Sequence, residues 1–210
     1  MDARRSSSQV SRGAGTTEKM SGHSHWAGIK HKKEITDQKR GKVFSKLLAL
    51  ISAAAKTESN PDFNPRLRTA ITTAKEMAVP QENIDRAIKK ASEVGNNLEE
   101  LLFEAYGPGG IAIIIEAICD NKNRAIQEIK TILKDHNGKW AESGSVQWAF
   151  EKLNDPSAPL GTNWTPKFPQ DIPEADAEKL VVLIEALHDN DNVQGVFTNA
   201  ASLPAADEEA

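Results

Sequence analysis

Seven basic side chains, Lys30, Lys32, Lys33, Lys39, Arg40, Lys42 and Lys46, fall between Gly22 and Lys46 against only Glu34 and Asp37, a local charge of +5. His23, His25 and His31 lie in the same stretch. Cations at this density meet successive phosphates of a polyanion, which makes nucleic acid the first partner to consider. Trp26 offers a base-stacking face or a core anchor, and an isolated tryptophan more often takes the second role. Arg66 and Arg68 flank an apolar stripe at Leu67 and extend the patch, as do Lys89 and Lys90. From Asp171 to the C-terminus ten acids stand against Lys179 alone, a charge of −9 inside a total of −4. The chain therefore reads as a charge dipole, with one end for a polyanion and the other limiting nonspecific adhesion to it. Plain solvation is the alternative, but +5 in one short, otherwise ordered segment exceeds what solubility requires.

Catalytic constellations are harder to find. Cys119 ends the most apolar segment, where a thiol is usually a small core residue. The three N-terminal histidines lack a neighbouring Cys or acid at zinc spacing. Gly107-Pro108-Gly109-Gly110 has neither dinucleotide nor P-loop spacing, and its proline removes one amide that would hold a phosphate. Asn163-Trp164-Thr165 fits a glycosylation pattern with nothing to deliver it to the secretory pathway. The reading is a non-enzyme with no cofactor and no metal. One cysteine in 210 residues excludes an intramolecular disulfide framework and fits the cytoplasm. The longest apolar run, Ile111 to Ile115, is too short for a membrane span, so no membrane partner is expected.

The elements that must position these residues follow from periodicity. Residues 1–20 read as a disordered tail, with Met1 or Met20 as the natural start. Residues 21–95 read as a helical nucleic-acid-binding domain. Phe44, Leu47, Leu48 and Ile51 form one stripe, Leu67, Ile71, Ala74 and Ala78 a second, and Ile84, Ala87, Ile88 and Ala91 a third. Asn60-Pro61 and Asn64-Pro65 separate the first two, and Pro80 starts the last. Narrow stripes of this kind require the helices to pack on one another. Beyond Gly95 the period shortens to two: Leu101–Tyr106 and Ile111–Ile118 predict a hairpin about Gly107–Gly110. A helix follows, capped by Asn121 or Asn123 and closed by a left-handed Gly138, and Val146, Trp148 and Phe150 alternate as a third strand. Residues 153–173, with five prolines, read as a linker. A helix through Leu180–Leu187 and a strand at Val193–Thr198 close the chain, and residues 201–210 form an acidic, fraying tail. The fold class is multi-domain α and α+β: an N-terminal helical bundle, then an antiparallel-rich α+β domain (96–152 and 174–200) of ββαβ-linker-αβ order with helices on one face.

Seven segments in order, 22–33, 39–46, 64–68, 83–89, 104–110, 120–124 and 144–146, together resemble the YebC/PmpR family, whose mitochondrial relatives include the translational activator of cytochrome c oxidase subunit I. That resemblance implies three domains, the third inserted into the second. Here the chain passes from Phe150 through the proline-rich segment straight to what looks like the family's closing helix and strand, so the third domain is expected to be missing. The family was long described as DNA-binding transcriptional regulators and later as ribosome-associated factors that ease translation through stretches such as consecutive prolines. No helix-turn-helix, zinc-finger or basic-zipper pattern is present, which favours ribosomal RNA and the ribosome over DNA. The expected contacts are His23, His25, Trp26, Lys30, His31, Lys32, Lys33, Lys39, Arg40, Lys42, Lys46, Arg66 and Arg68. A protein-interaction module without nucleic-acid binding is the third class, and the sequence carries no signal for an oligomeric state.

Overall fold

Asn64 opens the second helix as an N-cap, its Oδ1 accepting from the Leu67 amide at 3.0 Å, while Pro65 occupies the first turn, where its missing N–H costs nothing. This is a computed structural model, and it describes residues 37–203 other than 92, 94–96, 156, 157 and 159. Helix α1 (Asp37–Ala55), α2 (Pro65–Glu76) and α3 (Gln81–Ala91) pack into a bundle around Leu47, Ile51, Leu67, Ala74 and Ile84. The three stripes meet as their spacing predicts, except at Ala78. That residue lies past the end of α2 with φ of 61° and closes the helix, because the Val79 amide reaches back to the Ala74 carbonyl at 2.9 Å.

The second part is a four-stranded antiparallel sheet in the order β3-β1-β2-β6, built from β1 (Glu99–Tyr106), β2 (Ala112–Cys119), β3 (Lys139–Ala141) and β6 (Val193–Thr198). Tyr106 pairs with Ala112 across the Gly107–Gly110 turn, where Gly109 takes φ of 69° and a Cβ would stand 2.9 Å from Ile172. Helices α4 (Lys122–Asp135) and α5 (Glu174–Asp189) cover one face of the sheet, burying Phe103, Ile113, Ile115, Ile129, Leu180 and Leu183. Asn121 is the cap of α4, accepting from the Arg124 amide. The left-handed residue that closes α4 is Asn137 rather than Gly138. Gly138 is needed for closeness instead: its Cβ would meet the Leu133 side chain at 2.9 Å.

Two sequence expectations fail on the opposite face. The third strand of the sheet is Lys139–Ala141, not the Val146–Phe150 alternation. Residues 147–149 form a 3-10 turn, and Val146 is buried. Nor is 153–173 an irregular linker: β4 (Phe150–Asn154) and β5 (Thr162–Pro166) pair as an antiparallel hairpin. Only Trp164 of β5 is buried, so the strand shows a single inward side chain and no periodicity to read. The hairpin covers Ala112 and Ile114 on the second face of β2, and Ile118 at the end of the same strand joins the core of the helical bundle. Strand β2 is thus buried along its whole length, as its apolar run predicts.

Candidate nucleic-acid interface

The basic residues divide by what they touch. Helix α1 carries Lys42 and Lys46 one turn apart on the same face, and that face meets the C-terminal end of α5. Lys46 Nζ donates to the His188 carbonyl, and Lys42 Nζ donates to the Asp189 carbonyl at 3.2 Å. The last carbonyls of a helix lack intrahelical donors and carry the negative end of its dipole, so an ammonium satisfies both needs. Lys46 is only 9% exposed. Burial pulls its pKa down to about 8, against the opposing attraction of Asp191 and Asp189. Lys56 also donates to a backbone carbonyl, that of Leu98 just before β1, at 2.6 Å. Arg66 of α2 pairs with Glu100 of β1 at 2.6 Å and lies against Gly161 of the hairpin connection.

Lys42, Lys46 and Arg66 therefore join the helical bundle to the α+β part, whereas Lys39, Arg40 and Arg68 are exposed. The charge dipole is also less separated than the sequence suggests, since Asp189 and Asp191 stand near Lys46. His23, His25, Trp26, Lys30, His31, Lys32 and Lys33 lie outside the described residues. Among the described residues no three metal-ligating side chains converge. Cys119 is buried, which pushes its thiol pKa up and away from nucleophilic use. No helix among the described residues is long and apolar enough to cross a membrane.

Three polar features escaped the sequence reading. Glu104, 2% exposed, accepts from the amides of Gly144 (2.5 Å), Val146 (2.6 Å) and Gln147 (3.2 Å) and from the Gln147 side chain (2.9 Å). One carboxylate thus ties the 104–110 segment to the 144–146 segment and turns Val146 inward. Glu116, 3% exposed, accepts through Oε1 from Thr162 Oγ1 at 2.7 Å and Trp164 Nε1 at 2.8 Å, fastening the hairpin to the sheet. Its Oε2 has no partner, and burial raises its pKa above the usual carboxylate range. The available signal was an acid inside an apolar strand, at Leu101-Leu102-Phe103-Glu104 and Ile113-Ile114-Ile115-Glu116. The third feature is a cleft of about 460 Å³ beside the 3-10 turn, with Trp148 and Phe168 on its rim. The exposed ring of Trp148 belies a strand reading that would have buried it.

Lysines seated on backbone carbonyls thus hold the helical bundle to the α+β part. The family description "TACO1/YebC protein N-terminal domain" matches residues 24–94, and "TACO1/YebC second and third domain" matches residues 98–154. The chain belongs to the TACO1/YebC family. A probable transcriptional regulatory protein of Desulfosudis oleivorans is 54% identical over 136 residues, 63% of this chain but only 55% of that relative, so this match spans about half of the relative's length. A protein of the same description from Fervidobacterium nodosum is 38% identical over 235 residues, 86% of this chain and 93% of the relative. That span exceeds the 210 residues of the whole chain, so positions of the relative have no counterpart here. The crystal structure of a conserved hypothetical protein from Aquifex aeolicus superposes with a TM-score of 0.77 at 32% identity, covering 89% of this chain and 100% of that one.

Proposed function

We propose that this chain is a non-enzymatic, nucleic-acid-binding regulator of gene expression that engages ribosomal RNA through its basic N-terminal segment, continued onto the fold by Lys39 and Arg40. The observation that carries this reading is the division of labour among the cations. Lys42, Lys46, Lys56 and Arg66 are engaged by hydrogen bonds or an ion pair within the fold, while Lys39 and Arg40 are exposed at the start of α1, directly after the stretch holding Lys30, Lys32 and Lys33. Contacts of this type position a protein on phosphates without reading bases, which suits structured RNA. A translation factor that eases elongation through consecutive prolines, working in the cytoplasm, is the role the family resemblance supports.

DNA binding is the second reading, favoured by the relatives' description as probable transcriptional regulatory proteins. The third domain enters the same proposal. The match to the second and third domains stops at Asn154, the last residue of β4, which supports the reading that residues 153–173 stand in place of the family's inserted third domain. A partner surface shared by those two domains is then absent from this chain.

Ultraviolet crosslinking of the full chain in its own cells, with sequencing of recovered RNA and DNA, tests the proposal. One ribosomal RNA region should be enriched, and the enrichment should fall when Lys30, Lys32, Lys33, Lys39 and Arg40 become Gln. Promoter DNA without ribosomal signal establishes the second reading instead, and enrichment of neither overturns both.

A further inference from the structure

The cleft beside the 3-10 turn is lined by Tyr106 and Ser145, from two segments that the nucleic-acid reading leaves unused. Four of its side-chain donor groups make hydrogen bonds inside the fold. The Tyr106 hydroxyl and Trp148 Nε1 both donate to the Ser145 carbonyl, at 3.2 and 2.8 Å. Asn199 Nδ2 donates to the Phe168 carbonyl at 3.1 Å, and Gln170 Nε2 to the Gly109 carbonyl at 3.0 Å. The rim adds exposed ring surface and negative charge. Trp148 is 64% and Phe168 57% exposed, their centroids lie 5.8 Å apart with planes tilted by 46°, and Asp171 is the single charged residue in the lining. Lys167, next to Phe168 in the chain, is not part of that lining.

Aromatic faces carry the negative lobe of a quadrupole, and with a carboxylate beside them they attract a cation stripped of part of its water. A phosphate would meet the Asp171 carboxylate at this cleft. Beyond Asp171 the chain adds Glu174, Asp176 and Glu178 against Lys179, which pairs with Asp176 at 3.2 Å, so this stretch is net acidic. A volume of about 460 Å³ accommodates long side chains rather than a folded element.

We infer that the Trp148–Phe168–Asp171 cleft docks an arginine or lysine side chain of an extended basic segment on a protein partner. The molecule then has two recognition surfaces of opposite preference: cations at the start of α1 for nucleic acid, and an aromatic, acidic cleft for a basic protein segment. The second surface stands independently of the first.

Fluorescence anisotropy of the full chain with a labelled Arg-Gly repeat peptide tests the inference. The reference probe is the same peptide with citrulline, isosteric but neutral, at every arginine. The arginine peptide should bind, and citrulline should weaken it by roughly tenfold. Trp148→Leu and Phe168→Leu should each weaken it by roughly fivefold or more, and Asp171→Asn by less. Both rings are exposed, so unchanged circular dichroism and melting are expected and separate loss of binding from loss of fold. Affinity that survives Trp148→Leu would reduce the effect to charge attraction along the acidic segment and overturn the inference. Tighter, Trp148-dependent binding of oligouridylate would make the cleft a base platform, and equal binding of a proline-rich peptide without cations would make it a polyproline groove. Either outcome overturns it as well.

Discussion

Glu104 and Glu116 occupy the same face of one sheet, on neighbouring strands, and are almost equally buried, yet their surroundings differ sharply. Glu104 receives four N–H donations that use both of its oxygens. Glu116 receives two, both on Oε1, and leaves Oε2 bare. Burial alone does not decide what a carboxylate does in a core; the supply of donors does. At Glu104 the chain wraps a turn of backbone amides around the carboxylate, so the acid organises the loop. At Glu116 the donors are the hydroxyl and indole of the hairpin, which latch onto the acid without satisfying it. The first arrangement builds the floor of the aromatic cleft, and the second holds the hairpin that follows it.

The sharpest way to break the contrast is Glu104→Gln. An amide places its own NH₂ against N–H donors that now converge on a carboxylate, and several buried donors lose their acceptor. A loss of about 3 kcal/mol in unfolding free energy is expected from urea denaturation, with Trp148 fluorescence altered as the turn is released. Glu116→Gln should do the reverse on a smaller scale. Because the folded-state pKa of Glu116 lies above its unfolded value, its stabilising contribution is complete at pH below the ordinary carboxylate range. That contribution is lost as pH rises through the raised folded value. The neutral amide keeps an acceptor for Thr162 and Trp164 without an ionisable group. Glu116→Gln should therefore match the parent at acid pH and exceed it in stability near neutrality, as read from urea denaturation at the two pH values. Equal destabilisation by both substitutions at neutral pH would remove the distinction between the two acids.

The helical bundle was legible in the sequence because each helix shows one apolar stripe and clear stops at proline, and β2 because it is apolar on both faces. What was hidden depends on partners remote along the chain. The spacing of Lys42 and Lys46 places them on one helix face, but nothing local says that the face meets carbonyls 147 and 142 positions away. The Val146, Trp148, Phe150 alternation is real as a pattern and misleading as a strand, because Glu104 captures the amides that a strand would need for pairing. Strand β5 was missed because its one inward residue, Trp164, is held by an indole–carboxylate bond rather than by a periodic apolar face. For the candidate interface, residue type identified the cations, and only the packing separates those that tether from those that remain exposed.

That separation is most directly tested by the salt dependence of binding to purified ribosomes, measured for the parent, for Lys39→Gln with Arg40→Gln, and for Lys46→Met. Loss of two phosphate contacts should lower the slope of log affinity against log salt by roughly 1.5 and leave the melting temperature unchanged. Lys46→Met should change stability and its pH dependence above about 8, where the parent lysine loses its proton, while keeping the parent's slope. An unchanged slope for the Lys39/Arg40 pair, with a reduced slope for Lys46→Met, would contradict the division of cations on which the proposed function rests.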